Sequence, residues 1–313
     1  MIVAKLQPPG PVVSHMLALH DVSRTYATGV HALRGITLSI GPGLFGLLGP
    51  NGAGKSTLMR TLATLQPLDA GTITMDGRNI FADVTAHRAR LGYLPQDFGV
   101  YPGLSAQALL EHLALLKGLT DRGTRRAQVE ALLQQVNLWE HRNRAVSGFS
   151  GGMRQRFGIA QALLGDPRLL IVDEPTAGLD PAERSRFYNL LGAVGEQVVV
   201  ILSTHIVEDV RQLCTRMAVM HLGRVVCEGV PDDLVRELDG RLFSRTLARE
   251  ETWPADTDGR SAPTDSAAVV LSRTLHAGRT RLRILADTAP DAASVPTPAT
   301  LEDVYFRAVG SPA

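Results

Sequence analysis

Gly49-Pro50-Asn51-Gly52-Ala53-Gly54-Lys55-Ser56 is the stretch around which the chain is organised. The apolar run Leu44-Phe45-Gly46-Leu47-Leu48 precedes it and reads as a short buried strand. Thr57-Leu58-Met59-Arg60-Thr61-Leu62 follows and reads as the start of a helix. Strand, glycine loop and helix N-terminus together make a phosphate-binding device. Gly49, Gly52 and Gly54 let the backbone curl until its N–H groups converge on one anion. Lys55 adds a compact positive charge suited to β- and γ-phosphates, and Ser56 offers a hydroxyl to Mg²⁺. A glycine-rich turn with a chance Lys-Ser pair would not explain the strand before it and the helix after it.

Bulk properties narrow the class. With 313 residues, 44% of them hydrophobic, the chain has material for one large domain and a smaller one. A net charge of +1 gives no overall electrostatic reason to expect nucleic acid as a partner. Cys214 and Cys227 form no CxxC pair, which favours a reducing cytoplasm over a disulfide framework. The histidines are scattered without metal-ligand spacing. No stretch approaches the roughly 18–20 apolar residues of a spanning helix. Residues 1–15 lack an apolar signal-peptide core and read as a disordered extension, with Met16 a candidate start.

Along the chain, Met16–Ser23 and His31–Ile40 read as strands, with Tyr26 in the polar turn between them. Gly71–Ile80 reads as a hairpin turning at Asp76-Gly77. Leu91–Leu94 is strand-like and ends at Pro95-Gln96. From Ser105 to Gln135 apolar residues recur at helical spacing, marking a helical insert over about residues 98–150. Helices are expected over Met153–Leu164, Pro181–Val194 and Val207–Leu213, alternating with strands at Leu169–Val172 and Gln197–Leu202. A final hairpin is expected over Met217–Met220 and Arg224–Glu228. This alternation predicts an α/β core with a mainly parallel sheet, preceded by an antiparallel β subdomain. Composition shifts near Gly240, so residues 16–239 and 240–313 are expected to be separate domains, the second small and α+β. Residues 250–268 read as a polar loop. Strands are expected over Val269–Thr274 and Thr280–Leu285, and a short helix over Leu301–Val309.

A second acidic motif narrows the phosphate-loop class. Leu169-Leu170-Ile171-Val172-Asp173-Glu174 is a buried strand that delivers two carboxylates at its C-terminal end, where open α/β sheets bind ligands. Asp173 suits Mg²⁺, and Glu174 suits the orientation and deprotonation of an attacking water.

With these motifs in order, the chain resembles the ATP-binding subunit of an ABC transporter. Gly49–Ser56 matches the family's Walker A motif, and Gln96 its Q-loop. Phe149-Ser150-Gly151-Gly152-Met153 sits at the signature position. Leu169–Glu174 matches Walker B with the catalytic glutamate, Ala177-Gly178-Leu179-Asp180 the D-loop, and His205 the switch histidine. Tyr26 falls where the family keeps an aromatic that stacks on adenine. The resemblance spans about Leu17 to Gly229.

It implies ATP and Mg²⁺ as cofactors, with residues Gly49–Thr57, Tyr26 and Gln96 around the nucleotide. Ser56, Gln96 and Asp173 would surround the metal, and Lys55, Glu174 and His205 would act in hydrolysis. It also implies a homo- or heterodimer in which Ser150, Gly151, Gly152 and Asp180 of one subunit meet the nucleotide of the other. The usual signature has Leu before the serine and Gln after the glycines, where this chain has Phe149 and Met153. The segments Tyr93–Leu104 and Thr300–Tyr305 resemble subunits that pair with separate exporter-type permeases. A groove beside Gln96 and the helical insert is expected to receive a permease coupling helix. The subunit would then lie on the cytoplasmic face of the membrane, powering export of a drug, lipid or polysaccharide-like substrate. A soluble ABC ATPase acting on ribosomes or DNA is the alternative, although no second ATPase half or long coiled coil is visible. A phosphate-loop kinase would explain neither Ser150-Gly151-Gly152 nor Asp180.

Overall fold

The computed structural model describes residues 16–176, 179–196, 198–248, 251, 253 and 268–310. The expectations for residues 1–15, for Ala177 and Gly178, for Gln197 and for most of 250–268 lie outside the described residues. The chain divides into two compact units. One holds the chain up to Phe45 together with Ser56–Ser203, the other Gly46–Lys55 together with the chain from Thr204.

The first unit opens with β1 (Leu17–Thr25) and β2 (His31–Ile40), paired antiparallel, and β4 (Ala70–Met75) flanks β1 on its other side. A two-residue strand, β5 (Arg78–Asn79), completes a sheet of order β2-β1-β4-β5. Alternation in β1 and β2, reset by a register shift between Leu33 and Ile36 where Gly35 has φ of +68°, puts Leu17, Leu19, Leu33, Ile36, Leu38 and Ile40 inward. The Asp76-Gly77 turn carries φ of +53° and +75°, the left-handed pair that a tight two-residue hairpin requires.

Strand β3 (Gly43–Leu48) starts in the first unit and ends in the second. It belongs to a six-stranded sheet of order β10-β9-β3-β8-β7-β6. Here β6 is Leu91–Leu94, β7 Leu169–Asp173, β8 Val199–Thr204, β9 Arg216–His221 and β10 Arg224–Gly229. The β6–β7 and β7–β8 pairs are parallel, and β9–β10 is an antiparallel hairpin at the edge. Every residue of β7 and β8 is buried, which explains their unbroken apolar runs.

Helix α1 (Lys55–Leu62) follows the glycine loop. The short polar helix α2 (Val84–Ala89) has no buried residue and gave no periodicity to read. The insert consists of α3 (Ala106–Leu116) and α4 (Arg122–Gln135), capped by the side chains of Ser105 and Asp121. Lys117, just past α3, donates from Nζ to the Leu91 carbonyl of β6. Burial pulls its ammonium below the usual lysine range. Helix α5 begins at Gly151 and runs to Ala162, two residues earlier than its apolar pattern suggests, because Ser150 caps it. Helix α6 spans Pro181–Gly195.

In the second unit, α7 (Val207–Leu213) and α8 (Pro231–Arg236) bracket the β9–β10 hairpin in sequence. Residues beyond Gly240 form a separate antiparallel sheet of order β12-β13-β11-β14. Its strands are β11 (Leu242–Thr246), β12 (Val269–His276), β13 (Arg279–Leu285) and β14 (Val295–Pro296). Leu247, Trp253, Leu282 and Ile284 form its core. The last helix, α9 (Leu301–Val309), packs on α7, α8, β9, β10 and β12. Asp303 locks it. Its carboxylate completes a capping box with Thr300 and accepts two bonds from the Arg283 guanidinium, at 2.5 and 2.6 Å.

Candidate functional site

The glycine loop is shaped by backbone constraints. A Cβ on Gly49 would lie 2.4 Å from the Met220 carbonyl oxygen, so this position admits no side chain. Gly52 and Gly54 adopt φ of +78° and +103°, a region that side chains make costly. Asn51 lies at the exposed tip, and Ala53 is buried beneath it. Lys55 is buried, and its Nζ donates to the carbonyls of Gly49 at 2.6 Å and Pro50 at 3.1 Å. The lysine is thus held within its own loop.

Ser56 and Thr57 lie in the first turn of α1, with Ser56 exposed. Tyr26 lies beside that turn. Its hydroxyl is 3.1 Å from the Thr57 hydroxyl and donates to Gln66 Oε1 at 3.3 Å. Gln66 in turn donates to the Thr57 carbonyl at 2.9 Å. The Arg24 guanidinium lies 5.8 Å from the centre of the Tyr26 ring. Nothing in the amino-acid pattern singles out Gln66; its role is visible only through the Tyr26 hydroxyl.

The two carboxylates at the end of β7 occupy different settings. Asp173 closes the strand and is buried. Its negative charge and, more strongly, burial push the Tyr93 phenol above its ordinary range, with Arg60 opposing. Glu174 is half-buried and leaves the strand with φ of +46°, a left-handed conformation uncommon for a residue with a side chain. The turn, rather than simple strand alternation, separates the two side chains. The Glu174 amide donates to the Ser203 carbonyl of β8 at 2.9 Å, holding that turn. Gln96 Nε2 donates to Glu174 Oε2 at 3.3 Å, so the structure brings the Q-loop glutamine and this carboxylate together.

The signature segment is built by capping. Ser150 is the N-cap of α5, and its Oγ accepts from the Met153 amide at 3.3 Å. Gly151 and Gly152 already lie in the helix, and neither has positive φ. Phe149 meets Phe157 edge to face at 6.4 Å, which gives the departure from leucine a packing partner. The Q-loop and the signature helix are tied together. Arg154 donates to the Phe98 carbonyl at 2.9 Å and lies 5.6 Å from that ring, and a Cβ on Gly158 would strike Leu94 and Phe98. Gln96, Gly151, Arg154 and Leu179 line one cavity of about 360 Å³. Asp180 caps α6, accepting from the Glu183 amide at 2.8 Å. A second cavity, of about 310 Å³, is lined by Leu65, Arg88, Tyr93, Leu113, Lys117 and Gln161, beside α1, β6 and the helical insert.

In the second unit, His205 follows β8 and is exposed. Thr204, beside it, donates from Oγ1 to the fully buried Asp209 at 3.1 Å and accepts from the Ile206 amide at 2.9 Å. These bonds fix the backbone on either side of the histidine.

Ser56, Gln96 and Asp173 offer a hydroxyl, an amide and one buried carboxylate. This all-oxygen set fits Mg²⁺, which takes few protein ligands and keeps phosphate and water oxygens for the rest. Among the described residues no cluster of three or more His, Cys, Asp or Glu could hold a metal by itself.

A phosphate loop at a helix start, a strand ending in paired acids and a capped serine-glycine-glycine turn are together the motifs of a nucleotide-hydrolysing cassette. The family model for the ABC transporter domain matches residues 33–177. The Nod factor export ATP-binding protein I of Ralstonia nicotianae is 31% identical over 97% of each chain. The methionine import ATP-binding protein MetN of Caulobacter vibrioides is 36% identical over 70% of this chain and 68% of its own. Among solved structures, the dimeric structure of MJ0796, a bacterial ABC transporter cassette, superposes with a TM-score of 0.62 at 27% identity, covering 68% of this chain and 98% of that one. The chain belongs to the ABC transporter family as an ATP-binding subunit, and its activity is ATP hydrolysis coupled to transport. Among the described residues no helix is long and apolar enough to cross a membrane.

Proposed function

We propose that this subunit powers export through a separate membrane permease, working on the cytoplasmic face as an ATP-dependent dimer with Mg²⁺. What supports the direction is the company of relatives: Nod factor export proteins are similar over 97% and 70% of this chain and a daunorubicin resistance protein over 67%, beside a methionine import protein over 70%. The substrate class on this reading is a drug, lipid or polysaccharide-like molecule.

The chemistry follows from the residues. Lys55 and the loop amides from Gly49 to Ser56 bind the β- and γ-phosphates, and Tyr26 supports the adenine. Ser56, Asp173 and Gln96 would hold Mg²⁺, whose positive charge would offset charge on the phosphate oxygens. Glu174 takes a proton from the attacking water, and His205 holds the γ-phosphate. The turn of Ser150, Gly151 and Gly152 receives the γ-phosphate of the partner's ATP at a helix N-terminus. Asp180 shapes the D-loop beside it. Bound ATP therefore holds two subunits together, and hydrolysis releases them. The 3.3 Å bond between Gln96 and Glu174 supports a role for Gln96 in reporting the state of the γ-phosphate to the helical insert. The groove expected beside Gln96 and the helical insert divides in the structure: Gln96 lines the cavity with Gly151 and Arg154, while Leu65, Tyr93, Leu113 and Lys117 line the one beside the insert, with Leu65 more than half exposed, and the latter is proposed to receive the permease.

The test is a mild-detergent pull-down of tagged Glu174→Gln from membranes with ATP present. A stoichiometric polytopic membrane protein is the expected partner. Ribosomal or DNA-associated partners alone would move the function to the soluble ABC ATPases.

A further inference from the structure

The structure assigns Glu183 as a positioning residue that fixes the first turn of signature helix α5 to the first turn of D-loop helix α6. On this reading Ser150–Gly152 and Asp180 reach the partner's nucleotide as one unit. The inference rests on the two-subunit site proposed above.

Four contacts converge on Glu183, three of them on its carboxylate. The Glu183 amide donates to Asp180 Oδ1 at 2.8 Å, so Glu183 is the residue whose N–H closes the D-loop cap. Its Oε2 lies 2.5 Å from where a Cβ on Gly152 would be. The same Oε2 is 3.4 Å from Arg156 Nε, one helical turn along α5 from Gly152. Its Oε1 accepts from Arg186 of α6 at 2.8 Å. Arg156 also donates to the Val136 and Asn137 carbonyls at the end of α4, at 3.2 and 3.3 Å. The carboxylate is therefore braced from three sides, and both Glu183 and Arg156 are largely buried, with side chains 17% and 12% exposed.

Two physical details argue for positioning beyond simple cohesion. Glu183 Oε2 and Arg156 Nε are both buried and make no hydrogen bond, although they pair as ions. Their geometry is set by the helices and is not optimised for the bond itself, so the contact reports on how α5 and α6 lie together. Second, the carboxylate belongs to the first turn of α6, where negative charge is favoured, and lies against Gly152 in the first turn of α5. It settles the α5 N-terminus at the turn where the proposed mechanism brings a γ-phosphate. Gly152 is the only position type that lets the carboxylate come this close, which gives the second signature glycine a structural reason within its own subunit.

The experiment measures three quantities on Glu183→Ala and Glu183→Gln in the full chain: ATP affinity of the monomer, kcat, and ATP-driven dimerisation in the Glu174→Gln background. The expected result for Glu183→Ala is monomer ATP affinity within about twofold of wild type, with kcat lowered on the order of tenfold and dimerisation requiring about tenfold more protein, because a misplaced contributor to a shared site costs rate more than binding. Glu183→Gln keeps the shape against Gly152 and is expected to recover kcat to within about threefold. A purely structural ion pair would lower thermal stability in both variants and leave kcat per folded molecule unchanged; that result overturns the assignment. So does dimerisation at the wild-type protein concentration in Glu183→Ala, or a parallel loss of monomer ATP binding. If Glu183→Ala does not fold, Glu183→Gln and Gly152→Ala probe the same contact from its two sides. Failure of Glu174→Gln itself to dimerise with ATP would overturn the two-subunit reading and this inference with it. Dimerisation in that control with no dependence on Glu183 would overturn this inference alone.

Discussion

The glycine loop at Gly49–Ser56 and the signature turn at Phe149–Met153 look alike in sequence, since each runs through glycines into a helix. They are built differently. In the first loop the glycines answer to the backbone: Gly52 and Gly54 have positive φ, and Gly49 lies against the Met220 carbonyl. In the signature turn the glycines are ordinary helical residues, the bend is made by the Ser150 cap, and Gly152 is small because a side chain, Glu183, leans on it. A loop made by backbone conformation is fixed within one subunit. A turn made by a cap and a neighbouring carboxylate takes its position from the next helix, which suits a surface that must meet a partner.

Substitutions can break this contrast. The largest effect is expected from Lys55→Ala, which removes the one side-chain charge of the first loop. ATP turnover should fall by on the order of 100-fold or more, measured by phosphate release. Turnover at the wild-type rate would remove the loop from the site. Gly49→Ala should be next. The Cβ meets a backbone oxygen that cannot swing away, and a loss of about 2 kcal/mol or more in unfolding free energy is expected from denaturant titration.

Gly152→Ala sharpens the comparison. The obstructing atoms end a flexible side chain, and alanine is favoured over glycine in a helix by about 1 kcal/mol. Stability should therefore change little while turnover falls, because Glu183 must move. An equal stability loss at Gly49 and Gly152 would erase the distinction between the two loops. Ser150→Ala deletes the cap and should cost about 1 kcal/mol of stability, less than Gly49→Ala, read by the same titration.

Much of this was legible from residues alone, and the reason is burial. Strands β3, β7 and β8 lie inside the sheet and must be apolar throughout, so their runs stand out. The insert helices α3 and α4 show helical periodicity because one face of each is buried. Helix α2 buries nothing, α8 is six residues long, and β14 has two residues, so none carries a pattern. Strand β11 has a mixed composition that carries no alternation, although Leu242 and Phe243 are buried. The site motifs were readable because phosphate and metal chemistry restricts residue types. The left-handed φ of Glu174 was not, since nothing in Val172-Asp173-Glu174-Pro175 demands it locally; the turn is held by Ser203 of another strand. Glu183 had one available signal, the Asp-x-x-Glu spacing from Asp180 that marks a helix start. Its contact with Gly152, 31 residues away in sequence, needed the fold.

The most direct measurement is light scattering and phosphate release on purified Glu174→Gln with ATP and Mg²⁺. The expected result is bound ATP, hydrolysis slowed by about 100-fold or more, and a stable dimer that the wild type forms only transiently. A variant that hydrolyses ATP at the wild-type rate, or that binds ATP and stays monomeric, would contradict it.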